Sequence, residues 1–265
     1  MGTLVIAPRV IPVLQIDDGG WLVKTRQYRS PRYLGDPINA VKIFNEKQVD
    51  ELVVVDIAAS RSRRDPAYDV LTDIASEAFM PVAYGGGLRS VDQARRVVNL
   101  GIEKVIVNSA LFTAPEAVEA MAAALGSQSV VASIDVRRGV DGELVTTSAS
   151  GTRREPENVG DVARRAVGLG AGEIILSAVD REGTREGYDL EAIRLVAEVV
   201  PVPLVALGGS GSFEDFVAAI LAGADAVAAG SQFVFYGRRD AVLITYPEPS
   251  EVAALMKASP SGTTY

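Results

Sequence analysis

The sequence repeats itself at about half of its own length. The segment Pro81–Ser90 (PVAYGGGLRS) matches Pro203–Ser212 (PLVALGGSGS) at an offset of 122 residues. At the same offset Glu51 corresponds to Glu173, Gly101 to Gly223 and Ser109 to Ser231. A repeat this long contains several structural units, so the two halves are expected to pack into one fold.

Within each half, strand patterns alternate with helix patterns. Several predicted strands are apolar without alternation, which is typical of parallel strands that are covered by helices on both faces. Ser90 and Ser212 are predicted helix N-caps, and Gly101 and Gly223 follow the ends of those helices. The eight predicted strands are Val10–Ile16, Glu51–Asp56, Pro81–Tyr84, Lys104–Val107, Val130–Asp135, Glu173–Ser177, Leu204–Ala206 and Ala226–Ala229.

Four strand–helix units in each half predict an α/β fold, a single (β/α)8 TIM barrel that spans residues 1–258. The half-barrels are residues 1–125 and 126–258. The alternative is a doubly wound open sheet, which does not account for the duplication. Residues 259–265 (SPSGTTY) are predicted to be a disordered tail.

Composition excludes several kinds of chemistry. The 265 residues include no cysteine and no histidine, which excludes thiolate catalysis, Cys/His zinc sites and Ser-His-Asp triads in this chain. Proton transfer is left to Asp, Glu, Lys or Tyr, and no metal or cofactor is expected. The net charge of −8 argues against nucleic acid as a partner. No apolar run is long enough to span a membrane, so a cytoplasmic location is expected.

Paired glycines follow two equivalent strands. Backbone N–H groups at a glycine turn before a helix bind anions, and glycine lets a phosphate approach the backbone. Two such sites predict a ligand with two phosphates or a long phosphosugar, and the alternative is that the glycines only form tight turns. The first site consists of Gly86, Gly87, Asn108 and Ser109, and the second of Gly208, Gly209, Gly230 and Ser231.

One carboxylate is the main catalytic candidate. Asp135 ends the fifth predicted strand, on the side where TIM barrels hold their active sites. Gln15 has the matching place on the first strand, where it can form hydrogen bonds but transfers no proton usefully. For each of the other carboxylates at strand ends, a structural role is at least as well supported as catalysis. They are Asp17, Asp18, Asp56, Asp180 and Glu182.

Two further groups of charged residues lie near strand ends. Arg9, Glu51, Lys104 and Glu173 begin strands at the opposite, amino-terminal end of the predicted barrel, where they would form a ring of ion pairs. The usual contribution of that end is stability. The basic segment from Lys24 to Pro37 is predicted to be a long loop, either a lid that clamps an anionic substrate or a solvated surface loop.

Taken together, these residues resemble the cyclase subunit of imidazole glycerol phosphate synthase over nearly the whole chain. The matching blocks are Arg9–Pro12, Gly35–Pro37, Asp50–Leu52, Gly85–Ser90, Gly126–Gln128, Ile134–Asp135, Gly170–Ile174, Asp180–Thr184, Gly187–Asp189 and Gly208–Gly209. The segments 24–47 and 241–247 are more similar to a paralogous branch that is associated with surface-polysaccharide gene clusters.

The resemblance implies a division of labour between two proteins. A class I glutaminase would dock at the amino-terminal end of the barrel, and ammonia would pass the ring of Arg9, Glu51, Lys104 and Glu173 to reach the active site. Lys24, Asp180, Glu182 and Gly183 would join the two glycine sites in binding a phosphorylated sugar or nucleotide-type substrate. In the paralogous branch the ammonia is thought to serve a sugar amidotransferase that makes acetamidino groups.

One departure from the family pattern matters for function. The family's cyclase uses aspartates at the ends of strands one and five, and here Gln15 replaces the first of them. Three hypotheses follow: an ammonia-channelling subunit for sugar amidation, a genuine cyclase in which a neighbour such as Asp17 replaces the missing aspartate, and a non-catalytic scaffold that conducts ammonia. A sugar isomerase of related fold is a more distant fourth.

Overall fold

The computed structural model describes residues 8–237, 239–248 and 250–252. Residues 259–265, which the sequence predicts to be disordered, lie outside these ranges. The strands are β1 (Arg9–Ile16), β2 (Leu22–Arg26), β3 (Arg29–Gly35), β4 (Leu52–Asp56), β5 (Val82–Gly85), β6 (Lys104–Val107), β7 (Val130–Arg138), β8 (Leu144–Ser148), β9 (Arg153–Arg154), β10 (Glu173–Ala178), β11 (Leu204–Leu207), β12 (Ala226–Ala229), β13 (Phe235–Tyr236) and β14 (Ala241–Val242).

Eight parallel strands close into a barrel. Their order is β1, β4, β5, β6, β7, β10, β11 and β12, and β12 pairs with β1 again. The pairings of β6 with β7 and of β12 with β1 join the two half-barrels. Within the second half β7 pairs with β10, with Asp135 beside Ser177. The predicted (β/α)8 barrel is therefore confirmed, and the open-sheet alternative is wrong.

Helices cover the outside of the barrel, as the alternating pattern predicts. They are α1 (Pro37–Glu46), α2 (Ala59–Ser62), α3 (Tyr68–Glu77), α4 (Val91–Asn99), α5 (Ala110–Thr113), α6 (Pro115–Leu125), α7 (Val159–Gly168), α8 (Leu190–Ala197), α9 (Phe213–Leu221) and α10 (Ser231–Val234). The helix α4 begins at the predicted N-cap, since the Ser90 hydroxyl accepts a hydrogen bond from the Gln93 amide at 3.3 Å. At α9 the Asp215 carboxylate accepts hydrogen bonds from the amides of Gly211 and Ser212 at 2.9 Å each.

Alternate residues of each barrel strand point into the lumen, because successive side chains of a strand point to opposite faces. On β1 this places Ile11 and Val13 in the inner apolar cluster, whereas Val10 and Leu14 pack between barrel and helices. The inner cluster also contains Val53, Ala83, Ile106, Val131, Ile175, Val205, Ala226 and Ala228. The lumen is therefore a packed apolar layer between two polar ends.

The segment after β1 is a β-hairpin and not the irregular loop that the sequence predicts. The strand β2 pairs with β1 through Gln15 and Val23, and it pairs antiparallel with β3. Two tip residues, Gln27 and Tyr28, have positive φ values of 52° and 58°. The prediction is wrong because the hairpin lacks the glycine-containing turn that usually announces such a connection.

The glycine at position 209 is required by close backbone packing. Its φ is +109°, and a Cβ atom there would lie 2.1 Å from the Gly187 carbonyl oxygen. We expect Gly209→Ala to lower the free energy of unfolding by about 2 kcal/mol or more, measured by urea denaturation. Gly142→Ala is the matched control, because Gly142 also has a positive φ (+76°) but has open space around it. Equal losses in both variants would contradict the packing argument.

Candidate functional site

The candidate site is a cavity at the carboxyl ends of the barrel strands. It brings together residues from both halves of the chain that the sequence analysis singles out: Gln15, Gly86, Gly87, Asn108, Ser109, Asp135 and Glu182. It also includes polar residues that the sequence analysis did not select, among them Thr25, Tyr28, Ser60, Arg61, Ser133 and Ser150. This is the end of the fold at which TIM-barrel enzymes place their catalytic residues.

Asp135 is one of three carboxylates of the described chain that line this cavity. The strand β7 continues to Arg138, so Asp135 lies within the strand and pairs with Thr147 of β8 instead of ending the strand as predicted. The residue is 5% exposed. Burial raises the pKa of Asp135 to about 7, and a hydrogen bond from Tyr28 opposes part of that rise. A carboxyl group that titrates near neutral pH is suited to general acid–base catalysis.

Tyr28 is a site residue that sequence reasoning missed. Its hydroxyl lies 3.4 Å from Asp135 Oδ1 and 2.7 Å from Ser177 Oγ. Burial and the Asp135 carboxylate raise the pKa of Tyr28, so the phenol stays protonated and donates to the carboxylate. The aromatic residues of the basic segment were the available signal, but only the hairpin register shows which of them reaches the cavity.

The hairpin tip is held against the loop that follows β10. The Gln27 amide donates to the Glu182 carbonyl oxygen at 2.7 Å, and Gln27 Nε2 donates to the Asp180 carbonyl oxygen at 2.6 Å. A Cβ atom on Gly183 would lie 2.7 Å from the Thr25 carbonyl oxygen. The hairpin therefore covers one side of the cavity and carries Tyr28 into it.

Gln15 is engaged by its neighbours and faces the second carboxylate of the cavity. Its Oε1 accepts hydrogen bonds from the Thr25 amide at 2.9 Å and from Thr25 Oγ1 at 3.0 Å. Its Nε2 lies 3.4 Å from Glu182 Oε1. The amide group thus occupies the inner wall next to Glu182 and takes no part in proton transfer.

Glu182 is paired with the lysine that was predicted to bind substrate. Lys24 Nζ forms an ion pair with Glu182 Oε1, and both side chains are buried. Burial lowers the pKa of Lys24 to about 7. Lys24 is therefore part of the hydrogen-bonded wall of the barrel and does not extend from a mobile loop, as the lid prediction required.

Three of the other predicted carboxylates have structural partners, and the fourth is exposed. Asp17 Oδ1 accepts hydrogen bonds from the amides of Gly19 and Trp21 at 2.9 Å each, so the Asp17 carboxylate caps a turn and does not replace the missing aspartate. Asp18 lies exposed in the same turn. Asp56 binds Arg64 at 2.9 Å, and Asp180 Oδ2 accepts a hydrogen bond from the Arg138 amide at 3.1 Å.

The two glycine sites differ in their access to the cavity. Gly86 and Gly87 line it together with Asn108 and Ser109, whereas Gly208, Gly209, Gly230 and Ser231 are not among its lining residues. A Cβ atom on Gly230 would lie 2.8 Å from Lys24 Cε, so the lysine stem fills that approach. Anion binding at either site stays a prediction.

At the opposite end of the barrel, four charged side chains form the predicted ring. Arg9 lies 2.5 Å from Glu51 and 2.6 Å from Glu173, and Lys104 Nζ lies 2.9 Å from Glu51 and 3.3 Å from Glu173. Cations and anions therefore alternate around the lumen, with the two glutamates buried. We call these four residues the charged ring.

Two negative findings apply to the described part of the chain. It contains no group of three or more Asp, Glu, His or Cys residues arranged to hold a metal ion. Among the helices described, none combines the length and apolar character that crossing a membrane demands.

The contact between Tyr28 and Asp135 gives a pH prediction. We expect Tyr28→Phe to raise the pKa of Asp135 by at most about one pH unit, because the carboxylate loses a stabilising hydrogen bond. The measurement is a pH titration of the Asp135 carboxyl carbon by ¹³C NMR. Tyr33→Phe, at a 62% exposed tyrosine of the same hairpin, is the control. A titration curve that is the same in Tyr28→Phe and wild type would contradict the assigned contact.

Comparisons with known proteins show the family of the chain. A family model described as "Histidine biosynthesis protein" matches residues 9–239. The chain is 43% identical over 252 residues to the "Putative imidazole glycerol phosphate synthase subunit HisF" of Leptospira borgpetersenii, covering 94% of this chain and 99% of that protein. It is 43% identical over 245 residues to the "Putative imidazole glycerol phosphate synthase subunit hisF2" of Pseudomonas aeruginosa, covering 92% and 97%.

A third relative is slightly less similar to this chain. The "Imidazole glycerol phosphate synthase subunit HisF" of Streptomyces avermitilis is 40% identical over 232 residues, covering 88% of this chain and 92% of that protein. The resemblance found in the sequence is thus confirmed, and similarity to subunits numbered hisF2 and hisF3 is consistent with a paralogous branch. The chain belongs to the histidine biosynthesis protein family, among relatives of the cyclase-type HisF subunit of imidazole glycerol phosphate synthase.

Proposed function

We propose that this chain is the ammonia-using synthase subunit of a class I glutamine amidotransferase and that it serves the amidation of a surface-polysaccharide sugar. The observation that carries the proposal is the placement of the charged ring and the Asp135 cavity at the two ends of one barrel lumen. A glutaminase would dock at the ring, and the acceptor would bind in the cavity.

The lumen between the two ends supports passage of a small neutral molecule. The layer of Ile11, Val53, Ile106 and Ile175 is apolar, and an apolar environment favours neutral ammonia over the ammonium ion. The chain has no cysteine or histidine, so it does not generate ammonia from glutamine by the route of a class I glutaminase. A separate glutaminase subunit therefore supplies it.

The cavity supports acid–base chemistry by carboxylates. Asp135 titrates near neutral pH, and the Glu182–Lys24 pair offers a second ionisable group beside Gln15. The first glycine site, with Asn108 and Ser109, suits the phosphate of a phosphorylated sugar or nucleotide-type substrate. This arrangement keeps one catalytic carboxylate of the cyclase pair and has Gln15 in place of the other.

Gln15 is the residue that makes us favour sugar amidation over imidazole glycerol phosphate formation. Imidazole glycerol phosphate formation in the family depends on an aspartate at that position, and Asp17, the proposed substitute, is held in a turn by Gly19 and Trp21. We therefore prefer a sugar amidotransferase as the partner that receives the ammonia. The genuine cyclase is the second candidate, because the 40% identical Streptomyces avermitilis protein is named as such a subunit.

The deciding assay supplies purified protein with ammonium and the phosphoribosyl substrate of the histidine pathway. We expect turnover lower by about 10²–10⁴-fold than that of a HisF subunit with both aspartates, since each acid–base group contributes about that factor. Gln15→Asp is the matched variant and is expected to recover part of the rate. Turnover at the rate of an ordinary cyclase in the wild-type chain would refute the amidation proposal.

A further inference from the structure

The two halves of the barrel differ at one pair of equivalent positions beside the cavity. At the offset of 122 residues, Arg61 corresponds to Gly183. The packing supports this equivalence, because a Cβ atom on Gly86 would lie 2.6 Å from Asp56 Cβ and one on Gly208 would lie 2.6 Å from the carbonyl oxygen of Ala178. Asp56 and Ala178 are themselves related by the same offset.

In the second half the position is closed. The Gly183 α-carbon packs so tightly against the hairpin that a Cβ atom would lie 2.7 Å from the Thr25 carbonyl oxygen and 3.1 Å from Arg26 Cα. The hydrogen bond from the Gln27 amide to Glu182 fixes the hairpin beside it. No side chain at position 183 therefore reaches a ligand from this half.

In the first half the position is open and positively charged. Arg61 is exposed and lines the cavity. The other charged lining residues are Asp56, Asp135 and Glu182; Asp56 is neutralised by Arg64, and Glu182 by Lys24. Within the described ranges, Arg61 has neither an ion pair nor a hydrogen bond from its side chain, so its guanidinium is available to a ligand.

The surroundings of Arg61 suit an oxyanion. The helix α2 that carries it packs on the glycine turn, since a Cβ atom on Gly87 would lie 3.1 Å from Ala59 Cβ. Ser60 and Ser109 also line the cavity, and their hydroxyls have no hydrogen-bond partner in the described structure. A guanidinium with neighbouring hydroxyl donors recognises phosphate or carboxylate by charge-assisted hydrogen bonds.

We propose that Arg61 is a specificity-determining residue of the first half-barrel, where its guanidinium binds the anionic group of the substrate. The inference rests on the proposed function, whose acceptor it describes as a phosphorylated small molecule held by a side-chain cation at one end. The second half-barrel has no counterpart to this cation at the equivalent position.

The test measures binding of ribose 5-phosphate, inorganic phosphate and ribose by isothermal titration calorimetry at constant ionic strength in chloride. We expect Arg61→Ala to weaken ribose 5-phosphate binding by about 10- to 100-fold, which is the effect of losing a hydrogen-bonded charge. Arg61→Lys is expected to be intermediate, because lysine keeps the charge but loses the planar fork. Arg95→Ala, at an exposed arginine of α4 that does not line the cavity, is the control and should bind like the wild type.

The outcomes separate this inference from the proposed function. Equal affinity in Arg61→Ala and wild type would overturn the role of Arg61 while leaving phosphate binding intact. Equal losses in Arg61→Ala and Arg95→Ala would reduce the effect to general surface charge and would also overturn it. If the wild-type protein binds neither ribose 5-phosphate nor inorganic phosphate, the anion pocket itself is overturned. The synthase assignment would still be tested separately, by the coupling between glutamine hydrolysis and ammonia use.

Discussion

Replacing Asp135 with asparagine is expected to reduce ammonia-dependent turnover by about 10²–10⁴-fold, the usual contribution of a general acid–base group. Asparagine keeps the size of the side chain and can accept a hydrogen bond from Tyr28, but it does not exchange a proton near neutral pH. The measurement is product formation with saturating ammonium, which bypasses the glutaminase. Circular dichroism and the melting temperature establish that the variant is folded.

The matched control is Asp141→Asn, which neutralises an exposed carboxylate in the turn between β7 and β8. It removes the same charge from the same region and should leave turnover unchanged. If Asp135→Asn retains full amidation activity, Asp135 is not catalytic. The scaffold hypothesis, in which the barrel only activates a glutaminase and conducts ammonia, would then be favoured.

Glu51→Ala is expected to uncouple glutamine hydrolysis from ammonia use. Glu51 contacts both cations of the charged ring, so its loss leaves Arg9 and Lys104 with Glu173 as their remaining carboxylate partner in the ring. The product formed per glutamine hydrolysed should fall well below stoichiometric, because ammonia escapes at the disturbed entrance. Turnover with added ammonium should remain, since the Asp135 cavity lies at the other end of the lumen.

This variant also has an expected stability cost, which needs a control. Breaking a fully buried ion pair from one side costs about 3–5 kcal/mol. The cost here should be smaller, because the side chains of Arg9 and Lys104 are 27% and 18% exposed and keep Glu173 as a partner. Unfolding by urea should therefore be measured for each protein. Glu103→Ala removes an exposed carboxylate adjacent in sequence to Lys104 and should keep both stability and coupling. Stoichiometric coupling in Glu51→Ala, with only the stability lowered, would reduce the ring to a structural role.

The sequence predicts the barrel and the two ends of its lumen because these depend on local and periodic signals. The apolar segments at Leu52–Asp56 and Glu173–Ala178 are strands in the structure at nearly the predicted bounds. Asp135, Gly86 and Gly87 reach one cavity because parallel strands place their carboxyl ends together. The charged ring follows from the same rule at the amino-terminal ends.

The parts that the sequence did not predict depend on contacts between distant segments. Tyr28 reaches Asp135, 107 residues away, only because the hairpin folds across the barrel mouth. The charge of Lys24 suggested that it binds an anionic substrate. The same hairpin instead places it in an ion pair with Glu182. Arg61 is one of three arginines between positions 61 and 64, and the sequence does not distinguish them. The packing of α2 on the glycine turn shows that Arg61 lines the cavity.

The pleat of the barrel strands links the two ends of the lumen. Arg9 and Gln15 share β1, and Glu173 and Ser177 share β10. In each pair the spacing is even, so both residues face the lumen. Insertion or deletion of one residue between the members of a pair would turn one of them toward the helices. A substitution at one end therefore changes the chemistry of that end alone, whereas a change in strand length disturbs the phase between the two ends.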